Sequence, residues 1–107
     1  MICRLWRGWT TPHNADAYQA LVLGTVIPEI ERRRIPGFRQ IDILRHDRPD
    51  EVEFHTLMWF ESLDAVRAFM GEDYTTSHVP AEARAVLSRF DSHAVHHVVL
   101  DRRVQHA

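Results

Sequence analysis

Polar and apolar positions alternate through residues Ile2–Trp9, where Cys3, Leu5 and Arg7 are interleaved with Ile2, Arg4 and Trp6; this period of two predicts a first strand. Thr11 followed by Pro12 predicts a helix start, because the hydroxyl can cap a free backbone N–H and proline at the first helical position has none to lose. Tyr18, Leu21, Val22, Val26 and Ile30 then recur at spacings of three and four, an apolar stripe on a helix running to about Arg33. Pro28 should kink that helix or break it into a helix and a short turn. Ile35-Pro36-Gly37 predicts a tight turn, with the Arg32-Arg33-Arg34 run before it as a solvated helix end. Two further strands, Phe38–His46 and Glu51–Phe60, flank the turn-rich Asp47-Arg48-Pro49-Asp50 and should pair as an antiparallel hairpin. Ser62 is placed to cap a second helix with Ala65, Val66 and Phe69 on one face, which Gly71 would end in a left-handed C-cap. A polar loop, Glu72–Val79, leads to a short helix from Pro80 to about Ser88; His93–Leu100 reads as a fourth strand and Asp101–Ala107 as a loose tail.

The order strand, helix, strand, strand, helix, strand is the ferredoxin-like βαββαβ pattern: an α+β fold in one domain over residues 1–100, an antiparallel sheet with both helices on one face. Large apolar groups occur at both strand parities, among them Trp6, Phe54 and Met58 on one and Leu57 and Trp59 on the other. Both sheet faces therefore need cover, and a symmetric homodimer with the two sheets packed face to face supplies it.

Composition narrows the chemistry. At 107 residues, 45% hydrophobic and 26% charged, the chain suits one ordinary globular domain rather than a two-domain cleft enzyme. The net charge of −2 argues against nucleic acid, whose phosphates need a basic face, and leaves a small molecule as the expected partner. All thirteen basic residues are arginine, so Schiff-base chemistry has no side-chain amine to use. A single Cys3 cannot form an internal disulfide, and the residues after Met1 lack the apolar run of a signal peptide or membrane span; a cytoplasmic protein is expected.

Eight histidines invite a metal reading, but spacing opposes it. On one strand His93 and His97 would stand about 13 Å apart at about 3.3 Å per residue, with His96 on the opposite face, and no metal site is expected. His78, in the loop beyond the second helix near Asp73 and Tyr74, is where a pocket mouth would be and could take a proton from a phenol or enol. Arg7 could stabilise a substrate oxyanion, or form a structural salt bridge. Trp59, Phe69 and Tyr74 are candidate walls for a planar ligand, and His55 shares the strand face of Trp59 and Leu57.

The start Ile2-Cys3-Arg4-Leu5-Trp6-Arg7-Gly8-Trp9-Thr10, the Pro36-Gly37-Phe38 turn and the run from Met58-Trp59-Phe60-Glu61-Ser62 through Phe69 resemble the antibiotic biosynthesis monooxygenase family of dimeric α/β barrels, over roughly Ile2–Leu100. That resemblance implies a cofactor-independent oxygenase of an aromatic or quinol-type substrate; for such chemistry this chain's own residues offer His78 as base and Arg7 as anion stabiliser. It also implies alternatives: a non-catalytic dimer binding a metabolite or haem, or a biosynthetic isomerase or cyclase. Members often carry a Glu where this chain has Met58 and a His where it has Phe69, so neither role transfers. Of the haem-degrading branch's three residues only the histidine has a counterpart, His78.

Overall fold

The computed structural model describes all 107 residues. Strand β1 (Ile2–Thr10) runs into a short 3-10 turn, Pro12–Asn14, capped as expected by the Thr11 hydroxyl, which accepts from the Asn14 N–H at 3.3 Å. Helix α1 (Ala15–Leu21) continues through a π-helical stretch, Val22–Val26, into α2 (Ile27–Arg32) without leaving helical dihedral angles. The disturbance expected at Pro28 thus lies one turn earlier. Proline cannot donate to the carbonyl four residues back and its ring crowds that carbonyl, and the wider turn, closed by the Ile27 N–H on the Val22 carbonyl, makes room. Arg34, in the left-handed region at φ 46°, follows the last turn, and Gly37 adopts the positive φ expected of the tight turn.

Strands β2 (Phe38–Asp47) and β3 (Val52–Phe60) form the expected hairpin, with an irregularity between Phe38 and Gln40. Helix α3 (Leu63–Met70) is capped by Ser62, whose hydroxyl accepts from the Ala65 N–H at 3.3 Å. Gly71 ends it at φ 87° but with ψ −170°, so the chain leaves in an extended direction rather than through a left-handed helical cap. Helix α4 (Ala81–Val86) is shorter than the sequence suggests.

The expected fourth strand is two strands, β4 (Arg89–Phe90) and β5 (Val95–Val98), both paired antiparallel with β1. The break falls where polar groups claim the backbone: the Asp91 carbonyl accepts from Trp6 Nε1 at 2.8 Å and from the Ser77 hydroxyl at 2.8 Å, and the Ala94 N–H donates to Thr75 at 2.7 Å. His93 therefore lies outside β5, bridged to Thr76, and does not share a strand with His97.

The sheet order β2-β3-β1, with β4 and β5 both beside β1, is that of a ferredoxin-like α+β fold. Cross-strand partners share a face, so the rows Arg4–Met58–Ile41 and Trp6–Thr56–Ile43 lie together. The helices cover this face in two packed clusters. Phe54 and Val52 meet Ala15, Tyr18, Val22 and Ala83, while Met58 and Phe60 meet Ile35, Ala65 and Val66. The opposite face, with Cys3, Leu5, Leu57 and Trp59, carries no helix, and residues 101–107 are exposed and without regular structure.

Candidate functional site

The two core clusters do not close on each other. Between them lies a cleft of about 690 Å³ of empty space, mouth included, bounded by the helix-facing side of β1, β2 and β3, by the α1–α2 run, by the end of α3 and by the loop Ser77–Pro80. Of its 18 lining residues 13 are hydrophobic, so its walls suit an apolar body. Val22, Val26 and Ile27 reach it from the π-helical stretch and its C-terminal end, which places the one irregular turn of the long helix against the cavity.

Polar side chains of different character, Arg4, Tyr18, Thr56, Ser77 and His78, punctuate this lining. Arg4 is 6% exposed, and its guanidinium has no carboxylate partner. Its Nη1 donates to the Tyr74 carbonyl at 2.6 Å and to His96 Nε2 at 3.0 Å, so His96 is the neutral tautomer with its proton on Nδ1. Burial pulls the Arg4 guanidinium down to about 10, and burial and the Arg4 charge push the His96 imidazole below its usual value. Tyr18, 3% exposed, packs edge-on against Phe54 at 4.8 Å, and its hydroxyl makes no hydrogen bond within the protein. Burial pushes its phenol up to about 12, so it remains a proton donor at neutral pH. Thr56 lies on the sheet side.

His78 is exposed and marks the rim. Its loop is held from both sides: the Ser77 N–H donates to Ser92 at 2.9 Å, and Arg84 Nε donates to the Val79 carbonyl at 3.1 Å. Phe69 lines the same cleft, its ring centroid 6.0 Å from the Arg4 guanidinium carbon.

The structure brings together only part of the expected constellation. His78 and Phe69 reach the cavity. Tyr74 stands behind it, its carbonyl on Arg4 and its ring edge-on to His96 at 5.1 Å. Arg7, His55 and Trp59 lie on the uncovered face, one residue out of phase with the lining residues Arg4, Trp6, Thr56 and Met58. Arg7 there is paired bidentately with Asp91 at 2.9 and 3.3 Å, and His55 with Glu53 at 2.9 Å. Arg4 and Tyr18 are the residues sequence reasoning missed. The signal for Tyr18 was its place on the apolar stripe of the first helix; for Arg4 it was an arginine at the parity of Ile2 and Trp6, informative only once that parity is known to face the helices. No group of three His, Cys, Asp or Glu side chains converges anywhere in a way that would hold a metal ion.

A ferredoxin-like sheet with its helices on one face places the chain in a class of α+β folds that several solved structures share. A monooxygenase from the ActVA-Orf6 gene of Streptomyces coelicolor, in complex with nanaomycin D, is 19% identical, with 98% of this chain and 92% of that one covered at a TM-score of 0.61. A Chloroflexus aurantiacus protein provisionally assigned to the antibiotic biosynthesis monooxygenases is 15% identical over 96% of each chain, at 0.57. A variant of MhuD with two manganese protoporphyrin IX bound per active site is 18% identical over 98% of this chain and all of that one, at 0.52. The chain thus has the fold of the antibiotic biosynthesis monooxygenase structures. No family model matches the sequence, and no curated protein does.

Proposed function

We propose that the protein is a cofactor-independent monooxygenase of a small aromatic or quinol-type substrate, acting as a homodimer. The observation that carries this reading is the apolar cleft between helices and sheet, with the His78 imidazole at its rim and the Tyr18 phenol inside. A phenol entering past His78 would lose its proton to the imidazole; the resulting electron-rich anion reduces dioxygen directly, one oxygen atom entering the ring to give a quinone and the other leaving as water. The apolar walls keep water from the reactive anion, and Tyr18 holds a proton for the oxygen being reduced. Phe69 forms part of the wall.

The lining offers haem less than it offers a small aromatic. The one imidazole among the lining residues, His78, is exposed at the rim, and the single buried cation, Arg4, cannot pair both propionates of a porphyrin. On the other sheet face, Leu57, Trp59 and Leu5, with Val95 half exposed, make the surface on which the sheet of a second copy would pack.

Oxygen uptake against a panel of naphthols and quinols tests the reaction. His78→Ala should lower turnover by about 10²- to 10⁴-fold while leaving the thermal midpoint unchanged. Product formation without oxygen uptake would move the protein to proton-transfer chemistry, as in an isomerase or cyclase. A saturable Soret shift on hemin titration that His78→Ala abolishes would overturn the haem-free reading. Sedimentation of the wild type against Leu57→Asp tests the dimer, which the buried carboxylate should dissociate.

A further inference from the structure

Arg4 presents an electrostatic vacancy at the inner side of the cleft. Its side chain is almost wholly removed from water, yet none of the ten ion pairs in the molecule includes it. Every other contact it makes is with a neutral group: the Tyr74 carbonyl, the His96 imidazole and the Phe69 ring. A buried cation without a counter-charge is costly, and chains normally compensate one with a carboxylate. The two bonds from Nη1 use both of its protons and fix the plane of the guanidinium. Nε and Nη2, the edge that grips an oxyanion with two parallel hydrogen bonds, have no acceptor within the protein. Arg4 lines the cleft together with the apolar and aromatic side chains of Trp6, Ile41, Met58 and Phe69.

We infer that the cleft selects an anionic ligand, an aromatic body carrying a carboxylate or an ionised enol or phenol oxygen, and that Arg4 supplies the missing half of the ion pair. This rests on the reading of the cleft as a small-molecule site and names the substrate class of that site. Tyr74 and His96 act as positioning groups: by accepting from Nη1 they hold the Nε–Nη2 edge free for the ligand. Arg4 thereby takes the role that the sequence alone assigned to Arg7.

The test is a calorimetric titration of the full-length protein at neutral pH with three probes: 2-naphthoate, its neutral isostere naphthalene-2-methanol, and 2-hydroxy-1,4-naphthoquinone, whose enol is ionised there. A charge-assisted bidentate contact should make 2-naphthoate bind on the order of ten- to a hundredfold more tightly than the alcohol. Preference for the ionised quinone over 2-naphthoate would assign the site to enolates, and the reverse to carboxylates. Arg4→Met should bind the alcohol as the wild type does and lose the preference for the anions, and Arg4→Lys should keep part of it because one point charge replaces the two-pronged fork. Equal binding of naphthoate and alcohol by the wild type, whatever the variants do, overturns the inference while leaving the cleft a ligand site. Binding of none of the three overturns the reading of the cleft, and the inference with it.

Discussion

Arg4 and Arg7 stand three residues apart on the same strand, and the two faces of the sheet treat them oppositely. Arg7 is nearly half exposed, and Asp91 answers its charge with two hydrogen bonds, so the pair is complete within the chain. Arg4 is buried under the helices with no acid in reach. On the uncovered face charges are neutralised locally, Arg7 by Asp91, Arg48 by Glu53 and Arg89 by Glu51; on the covered face the one buried charge is left open toward a cavity. An arginine that is compensated at home costs the scaffold little, whereas one that is desolvated without compensation carries a cost that the anion inferred for the cleft would offset.

The largest effect that separates the faces is packing. Phe60 is fully buried, with Phe38 and Phe69 rings 5.4 and 5.8 Å away, and Phe60→Ala should cost about 3–5 kcal/mol in urea unfolding, independent of protein concentration. Leu57, on the other face of the same strand, is only partly buried within one chain. Leu57→Ala should cost less, and its cost should grow with protein concentration if a second copy covers it. A loss equal to that of Phe60→Ala at every concentration would break the comparison between the faces.

Next in size is overfilling the covered face. A methyl added at Gly8 would meet the Trp6 ring at 2.9 Å and a Leu87 methyl at 3.0 Å, and Trp6 cannot readily yield because its indole N–H is tied to the Asp91 carbonyl. Gly8→Ala should therefore destabilise by about 1–3 kcal/mol, seen as a lower urea midpoint. An unchanged midpoint would mean that the Trp6 ring moves aside, and that the wall of the cleft is softer than its hydrogen bond implies.

How far all this was legible follows from the same two faces. Patterning located the three long β1, β2 and β3 strands, both capped helix starts and the hairpin, because those features are local: a period of two, a hydroxyl before a helix, a proline-rich turn. The split of the last strand was not legible, because it depends on Asp91 meeting Trp6 and Ser77, residues 85 and 14 positions away. The site was half legible for a related reason. Strand β3 reveals its core side in sequence, Val52, Phe54, Met58 and Phe60 against Glu53 and His55, but β1 has bulky residues at both parities, and only its register with β3 decides that Arg4 rather than Arg7 looks into the core. A one-residue ambiguity in register exchanges the two arginines, and with them the anion site.

Acid should weaken the covered face before the charge pairs of the open one, by less than either packing change. Burial first, and then the charges of Arg4 and His97, lower the His96 pKa in the folded protein from the ordinary 6.5. Above about 6.5 the imidazole is neutral folded and unfolded alike, and stability is complete. As pH falls below that value the unfolded chain takes up the proton first and stability declines, levelling off only below the depressed folded value. The wild type should lose stability between pH 7 and 5 relative to His96→Gln, which has no proton to take up. A parallel decline in the two proteins would show that Arg4 is not held by an imidazole acceptor.

The smallest effect belongs to Arg7. With 44% of its side chain and 22% of that of Asp91 exposed, their ion pair works in a screened, high-dielectric setting where such pairs contribute about 0.2–1 kcal/mol. Arg7→Met should therefore lower the urea midpoint only slightly in dilute buffer, and the difference should vanish in molar salt, while the binding of 2-naphthoate stays at its wild-type strength. The two arginines thus make opposite pairs of predictions: substitution of Arg7 changes a little stability and no binding, whereas Arg4→Met removes a desolvated charge with little loss of stability and takes the anion preference with it. Loss of naphthoate binding in Arg7→Met would put the ligand on the uncovered face, beyond the reach of His78, and would reverse the assignment of the two faces.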